Sequence, residues 1–488
     1  MTHDDTTHDD TATDDVQHAE ETAATGAQYA EDNLDTTHVQ KVEGGTVALA
    51  FSGGLDTTVC VPLLEDLYGY DEVVGVTVDV GQPAAEFVEA EETAEALDLE
   101  HYVVDATEEF ADLCFESVTA NATYQGYPLG TALARPVIAE AIAEVAADVG
   151  ADAIAHGCTG KGNDQLRFEA VWRDTDMAVI APVRELGLTR EFEQAYAAEL
   201  DLPVEGGNEG DWSIDTNLWS RSVEGKDLED PAYVPPEDIY DWTTEPGQVT
   251  EPTLVQLGFQ NGRPTGVSVL EGPESVQETA ADAVTNAADA DEATTAIATG
   301  EPVAVIEYLN ALAGAYGVGR TDMMEDRMLG LKVRENYEHP AATTLLTAHE
   351  GLEQLVLTKE ERDFKEQIDQ QWANKGYQGL VDAPFVKALE GFIGETQTRV
   401  TGTVTIKFDG GRARPVARDS DYAVYSEEAA SFNTETVNGI TQEDATGVAK
   451  YHGFQSRLAN AAVAKATKDK PELATDGGDA DDADDESQ

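Results

Sequence analysis

Apolar residues in the first half of the chain fall in short runs separated by longer stretches with helical spacing. Val47 to Phe51, Val73 to Val80, His101 to Val104, Ala151 to His156 and Met177 to Ala181 read as strands, and Thr58 to Tyr68, Ala84 to Leu97, Glu108 to Ala120 and Thr131 to Val149 as helices. That alternation predicts an α/β domain, a parallel sheet covered by helices, with ligands beyond the carboxyl ends of the strands. From near Gly206 the pattern turns to mixed α+β. Thr253 to Phe259 and Thr265 to Leu270 read as short strands, Val303 to Gly314 and Leu352 to Asn374 as helices, and Val400 to Phe408 with Arg412 to Val416 as a hairpin turning at Asp409-Gly410-Gly411. Gln442 to Ala462 has helical spacing, with Tyr451, Phe454 and Leu458 on one side.

Residues 1–44 are rich in acids, carry no base before Lys41 and have almost no large apolar side chains, so they are expected to stay a disordered arm. Residues 466–488 read as a second acidic tail, and 274–300, rich in Ala, Asp and Thr, as an exposed loop or surface helix. The resulting division is a nucleotide-binding domain at 45–205, a second domain at 206–440 and a C-terminal helix at 441–465.

Charge changes the picture next. The 488 residues carry a formal net charge of -68, from 97 acids and 29 bases, yet 41% are hydrophobic, so this is a folded protein rather than an acidic polymer. Such self-repulsion suits a salt-rich cytoplasm, because the Debye length shrinks to about 3 Å at 1 M salt; a cationic partner is the alternative reading. No basic stripe for nucleic acid is visible. Cys60, Cys114 and Cys158 are odd in number and widely spaced, which indicates neither a disulfide framework nor a zinc site. No leader-like or membrane-spanning run is present in the sequence, so a cytoplasmic location without membrane contact is expected.

The chemistry starts at Ser52-Gly53-Gly54-Leu55-Asp56-Thr57, between the first strand and the first helix. A helix N-terminus presents unpaired N–H groups and the positive end of its dipole, and glycines before it let a phosphate approach. The loop lacks the lysine of a Walker motif, and its glycines are adjacent, unlike a dinucleotide fingerprint. An ordinary strand-to-helix turn capped by Thr57 or Thr58 is the plainer reading. A second glycine loop, His156 to Asp164, follows another strand, so two loops are expected to line one cleft. Arg135 is the only Lys or Arg between residues 42 and 160. In so base-poor a chain it reads as an anion contact, with a buried ion pair as the alternative, and Lys161 and Arg167 follow the second loop.

Ser-Gly-Gly-x-Asp-Thr resembles the pyrophosphate loop of the N-type ATP pyrophosphatases, which split ATP into AMP and pyrophosphate. From about Thr46 to about Ala462 the chain resembles the argininosuccinate synthase family. The resemblance rests on Ala50 to Thr58, Tyr127 to Pro136, His156 to Phe168, Trp212 to Glu224, and Gly317 through Glu325 to Glu338. The run Thr159-Gly160-Lys161-Gly162-Asn163-Asp164-Gln165 and the segment Asn217-Leu218-Trp219 are its most specific parts. It implies a parallel-sheet ATP pyrophosphatase domain of the adenine nucleotide alpha hydrolase kind, an α+β synthetase domain and a C-terminal oligomerisation helix. It also implies ligation of L-citrulline and L-aspartate to argininosuccinate in arginine biosynthesis, with ATP consumed to AMP and pyrophosphate through citrullyl-AMP, Mg²⁺ arriving with ATP, and a homotetramer.

Carried over by position, Ala50, Phe51, Ser52, Gly53, Gly54, Leu55, Asp56, Thr57, Thr58, Val78 and Gly157 should meet ATP. Citrulline should meet Tyr127, Asn163, Arg167, Ser213, Ser222, Glu325 and Tyr337, and aspartate Thr131, Thr159, Asn163 and Asp164. Ser52, Asp56 and Asn163 carry the catalytic expectation, Asp56 as an indirect partner of Mg²⁺; no resident metal is implied. The chain departs from the family pattern at Ala132, in place of a serine, at Val78, in place of an alanine, and over Val333 to Asn336 before Tyr337. Plainer readings stand beside these: Ser213 and Ser222 as loop hydroxyls, Tyr127 and Tyr337 as packing aromatics, and Glu325 paired with Arg320 or Arg327 on a helix face. Rival functions are another ATP pyrophosphatase, such as a GMP or NAD synthetase or a tRNA thiolase, and a non-catalytic nucleotide sensor. The first group calls for a glutaminase segment, an NAD-type acceptor site or a basic RNA surface, and the second needs no second domain.

The charge argument makes a direct prediction: the thermal unfolding midpoint rises between low and molar KCl. A midpoint indifferent to salt would contradict it.

Overall fold

The computed structural model describes residues 26–204, 212–285, 290–430 and 439–468. Strand β1 (Thr46–Ala50) leads into helix α1 (Leu55–Pro62), and β2 (Glu72–Asp79), α2 (Ala84–Ala96), β3 (Glu100–Asp105) and α3 (Thr107–Thr119) follow. Helix α4 (Thr131–Val149) returns the chain to β4 (Ala153–His156), and α5 (Asp164–Trp172) leads to β5 (Ala178–Ile180) and α6 (Arg190–Glu199). The five strands form one parallel sheet in the order β3-β2-β1-β4-β5. β1 is central and buried between helical layers, which explains its unbroken apolar run.

Helix α1 begins at Leu55, earlier than the apolar spacing indicated, and Pro62 breaks its regularity. Proline has no N–H to continue the ladder, and the next turn, Leu63–Tyr68, widens to a π-helix ending at left-handed Gly69. Residues 26–44 correct the expectation of a disordered arm up to residue 44. Residues 26–33 are helical, Ala30 is fully buried, and Tyr29, Leu34 and Val39 pack on the core behind β1. The sparse apolar residues of this segment are spaced to cover one face. The expectations for residues 1–25 and 469–488 fall outside the described residues.

The second half begins with β6 (Ser213–Thr216) and β7 (Arg221–Glu224), followed by the long hairpin of β8 (Thr253–Gln260) and β9 (Arg263–Glu271). Helices α7 (Glu274–Asp282) and α8 (Ala290–Thr299) occupy the stretch read as an exposed insertion, yet Ala280, Ala293 and Ile297 are buried. Next come α9 (Pro302–Gly314), β10 (Arg320–Asp326) and β11 (Lys332–Glu338). The expected helix over 352–374 is two, α10 (Pro340–Val356) and α11 (Lys359–Tyr377), because Thr358 and Glu361 form a capping box that restarts the chain. Helix α12 (Pro384–Gln397) and the hairpin β12 (Gly402–Asp409) and β13 (Arg412–Asp419) complete the unit, which runs through Val424. Its two antiparallel sheets have the orders β9-β8-β12-β13 and β10-β11-β7-β6.

A second unit starts at Tyr425. Its expected single helix over 442–462 is α13 (Ala445–Tyr451) and α14 (Phe454–Lys468), separated at Gly453 by a positive φ of 66°. Val448, Tyr451, Phe454 and Leu458 are exposed on it.

One hydrophobic core spans both halves of the first unit, with Trp172, Trp219 and Trp372 buried in it. Beside it lies a polar knot joining α3 to α10, α11 and α12. Lys365 Nζ donates to the Thr119 carbonyl at 2.8 Å and to Asp369 at 2.8 Å, and lies 3.0 Å from Glu353. Asn121 donates to Glu353 at 2.8 Å and to Asp369 at 3.0 Å. Burial pushes the Asp369 carboxyl up to about 7 despite the Lys365 ammonium. Ionisation of that group therefore works against the fold as pH rises from its exposed value of 3.8 towards 7. Lys365→Met, which leaves two buried carboxyls without their cation, should cost about 3–5 kcal/mol. The deficit in thermal or denaturant unfolding should be larger at about pH 8 than at about pH 5.

Candidate functional site

Parallel pairing of β1 with β4 sets Ala50 opposite His156, so the two glycine loops leave the sheet side by side. In the first, the Thr57 hydroxyl donates to the Gly54 carbonyl at 3.2 Å and accepts from the Ser52 N–H at 3.3 Å, and the Ser52 and Thr57 hydroxyls lie 3.1 Å apart. Gly53 has a φ of 73°, and a Cβ there would lie 2.8 Å from the Ala90 Cα of α2. The loop is thereby pressed against α2. Gly54 is the N-cap of α1 and gives no side-chain cap, so the first-turn amides of Leu55, Asp56 and Thr57 face the loop without one. Neither Thr57 nor Thr58 caps the helix, as the plainer reading had it.

A cavity of about 720 Å³ lies over these loops. Of the residues expected to contact ATP, Ala50, Phe51, Ser52, Gly54, Leu55, Asp56, Thr57, Val78 and Gly157 line it. Gly53 and Thr58 do not: Gly53 faces α2, and the fully buried Thr58 donates its hydroxyl to the Gly53 carbonyl at 3.2 Å. Thr58 braces the loop from behind. Tyr127, Thr131, Thr159, Asn163, Asp164, Arg167, Ser213, Ser222, Glu325 and Tyr337 all reach the same cavity. Lys161 is exposed and lies outside its wall.

Glu325 corrects the helix-face reading. It sits on β10, is buried, and accepts phenol protons from three tyrosines. Tyr127 and Tyr337 donate to its Oε2 at 2.5 and 3.1 Å, and Tyr377 donates to its Oε1 at 2.5 Å. The Tyr127 and Tyr337 rings stack with centroids 4.5 Å apart. Arg320 and Arg327 pair elsewhere, with Glu237 and with Glu224 and Glu335. Burial and the charge of Glu224 raise the Glu335 carboxyl to about 8, against the pull of Arg327.

Arg135 bridges two carboxylates of the cavity wall, Asp164 at 3.0 Å and Asp215 at 2.9 Å, and Thr131 donates to Asp215 at 2.6 Å. The ion-pair reading of Arg135 is thus the observed one. Burial raises the Asp164 carboxyl, but Arg135 and Arg167 outweigh it and hold it down at about 2. Near the first loop, Arg190 reaches Asp56 at 3.2 Å. Burial and the neighbouring Asp56 lift the Glu193 carboxyl to about 7, and burial raises Asp56 as well.

Several lining residues were not singled out from the sequence: Asp215, Arg190, Glu335 and, behind the wall, Tyr377. Scarcity of bases, the signal that picked out Arg135, does not mark Arg190, which follows Arg167, Arg173 and Arg184 at short intervals. Tyr377 carries no local signal, since it ends an ordinary amphipathic helix.

Two family models match the chain: the Arginosuccinate synthase N-terminal HUP domain over residues 46–203 and the Arginosuccinate synthase C-terminal domain over 212–459. The chain belongs to the argininosuccinate synthase family. It is 69% identical to the argininosuccinate synthase of Natronomonas pharaonis over 86% of this chain and 97% of that one. It is 68% identical to that of Halobacterium salinarum over 86% and 98%. The relative from Methanococcoides burtonii is 51% identical over 86% and 99%. The activity is that of an argininosuccinate synthase, an ATP-dependent ligase of arginine biosynthesis, and the haloarchaeal relatives agree with the halophilic reading of the charge. No described helix is long and apolar enough to cross a membrane, and no cluster of three metal-ligating side chains occurs among the described residues.

Replacing Arg135 with methionine leaves Asp164 and Asp215 facing each other with one fewer cation. The Asp164 pKa should rise from about 2, read by carbon NMR of the labelled carboxyl, and the acid limb of activity should move to higher pH. An unmoved carboxyl would show that Arg167 alone sets it.

Proposed function

We propose that the cavity works in two steps on residues of both halves of the chain. In the first, the ureido oxygen of L-citrulline attacks the α-phosphorus of ATP, giving citrullyl-AMP and pyrophosphate. In the second, the amine of L-aspartate attacks the ureido carbon, and AMP leaves with the former ureido oxygen. Adenylation is needed because a ureido oxygen is a poor leaving group. The protein supplies orientation and charge stabilisation rather than a nucleophile.

The observation that carries this reading is the loop geometry: first-turn amides of α1 with no side-chain cap from Gly54, flanked by the Ser52 and Thr57 hydroxyls, suit a cradle for the departing pyrophosphate. Val78 and Gly157 flank the nucleotide. Citrulline meets Tyr127, Asn163, Arg167, Ser213, Ser222, Glu325 and Tyr337, and aspartate meets Thr131, Thr159, Asn163 and Asp164, with Asn163 at their junction. Ala132 is buried beside Thr131 and brings a methyl group to the cavity wall.

Mg²⁺ would arrive with the triphosphate. Asp56, which lines the cavity among hydroxyl and amide groups with Glu193 behind it, suits a cation that takes most of its ligands from phosphate and water, and bound there it would neutralise charge on the leaving pyrophosphate. Asp56 itself holds Arg190 at the cavity mouth. A homotetramer and a cytoplasmic location complete the proposal. The first is supported by the exposed apolar residues of α13 and α14, and light scattering tests it; the second is supported by an acidic composition suited to concentrated salt.

Asp56→Ala should abolish citrulline-dependent pyrophosphate release while the thermal midpoint in molar KCl stays close to that of the parent. Normal turnover in that variant would refute the role of Asp56. An ADP product in the parent would refute the cleavage chemistry.

A further inference from the structure

The Glu325 carboxylate and the Asn163 amide lie on opposite elements of the cavity, and one buried hydroxyl connects them. Tyr377, the last residue of α11, is 2% exposed and does not line the cavity. Its phenol donates to Glu325 Oε1 at 2.5 Å and accepts from Asn163 Nδ2 at 2.8 Å. Its backbone carbonyl accepts from Arg167 Nε at 3.0 Å, and the Arg167 guanidinium lies 5.0 Å from the ring centroid. The opposite face of the environment is set by Tyr124, stacked on the ring at 3.7 Å. Three side chains of the amino-acid site thus meet one residue outside it.

The hydrogen-bond bookkeeping gives that residue a specific task. A phenol has one proton, and here it goes to Glu325, so towards Asn163 the oxygen can only accept. Asn163 must therefore turn its NH₂ to Tyr377, and its Oδ1 accepts from the Met328 N–H at 3.1 Å. Both ends of the amide are fixed, leaving one N–H and one carbonyl lone pair for ligands. On Glu325, Oε2 already accepts from Tyr127 and Tyr337, whereas Oε1 accepts from Tyr377 alone. The acceptor capacity left to a substrate N–H is on Oε1, beside the Tyr377 oxygen.

We propose that Tyr377 is a positioning residue for both amino-acid substrates, its hydroxyl locking the orientation of the Asn163 amide and the free oxygen of Glu325. The inference rests on the functional reading above, which places citrulline against Glu325 and both amino acids against Asn163. Without the hydroxyl the Asn163 amide keeps only its Oδ1 bond from the Met328 N–H and can swing about it, which displaces its N–H and carbonyl at the junction of the two substrates. ATP, held by the other loop, is untouched.

The test is steady-state kinetics of Tyr377→Phe in molar KCl, following pyrophosphate release. The substitution keeps the ring against Tyr124 and Arg167 and removes only the hydroxyl. KM for citrulline and for aspartate should each rise roughly tenfold or more, with KM for ATP within about twofold of the parent. Tyr124→Phe serves as the control: that phenol donates to the Asp326 carbonyl at 2.7 Å, and its removal should leave both amino-acid KM values in place. Tyr377→Leu, which also removes the ring beneath Arg167, should raise the citrulline KM further. Unchanged amino-acid KM values in Tyr377→Phe, an equal rise for all three substrates, or loss of the fold would overturn the inference alone. A parent chain without aspartate-dependent pyrophosphate release would overturn the functional reading and the inference with it.

Discussion

The parallel pairing of β1 with β4 is the constraint on which the site depends. A parallel ladder puts the carboxyl ends of neighbouring strands at the same edge, so each strand delivers its loop to the same place. Here that brings Gly157 against α1, where a Cβ would lie 3.2 Å from Thr57 Cγ2 and 3.3 Å from the Asp56 carbonyl carbon. A methyl group there would have to push α1 away by a few tenths of an ångström. From there the second loop starts α5, whose first turns carry Asn163, Asp164 and Arg167 into the cavity. Phosphate chemistry and amino-acid recognition are therefore neighbours because two strands are neighbours.

Charge is organised by the same economy. With 29 bases against 97 acids, the chain places arginines at its cavity and gives each a carboxylate: Arg135 with Asp164 and Asp215, Arg190 with Asp56, Arg327 with Glu224 and Glu335. Paired in this way they hold the wall carboxylates in place more than they attract anions. Arg135 and Arg327 are half-shielded from the salt that screens the acidic outside, whereas the Arg190–Asp56 pair is open to it.

Much of the nucleotide-binding half was legible because its signals are local. Apolar runs bounded by glycine identify β1, β2 and β4, and the Ser52 to Thr57 loop announces itself between a strand and a helix. The sheet that carries Glu325 and Tyr337 was not read. β10 and β11 are dense in charged residues, and of their buried acids Glu325 is satisfied by Tyr127 and Tyr377, far away in sequence, and Glu335 by Arg327 across the hairpin turn. Periodicity fails where burial is granted by hydrogen bonds instead of hydrophobicity. Tyr377 was invisible for a related reason: its role comes from the polar knot around Lys365, which fixes α11, and no single stretch of chain encodes that knot. The helix break at Thr358, by contrast, is encoded locally, as the capping box of Thr358 and Glu361.

Trp219 shows how the halves are joined. The Asn217 side-chain oxygen accepts from the Trp219 and Ser220 N–H groups at 3.0 Å each, forming a tight turn, and Leu218 donates its N–H to the Val80 carbonyl at 2.8 Å. A Cβ on Gly81 would lie 2.8 Å from the Leu218 Cα, and one on Gly130 would collide with the Ser220 hydroxyl. The turn is a tongue from one half seated in a socket of the other, with no slack for a methyl group on either side. A chimera that grafts the C-terminal half of a distant relative onto this N-terminal half must carry tongue and socket as a matched pair, or the substrate chamber is left with a gap along its seam.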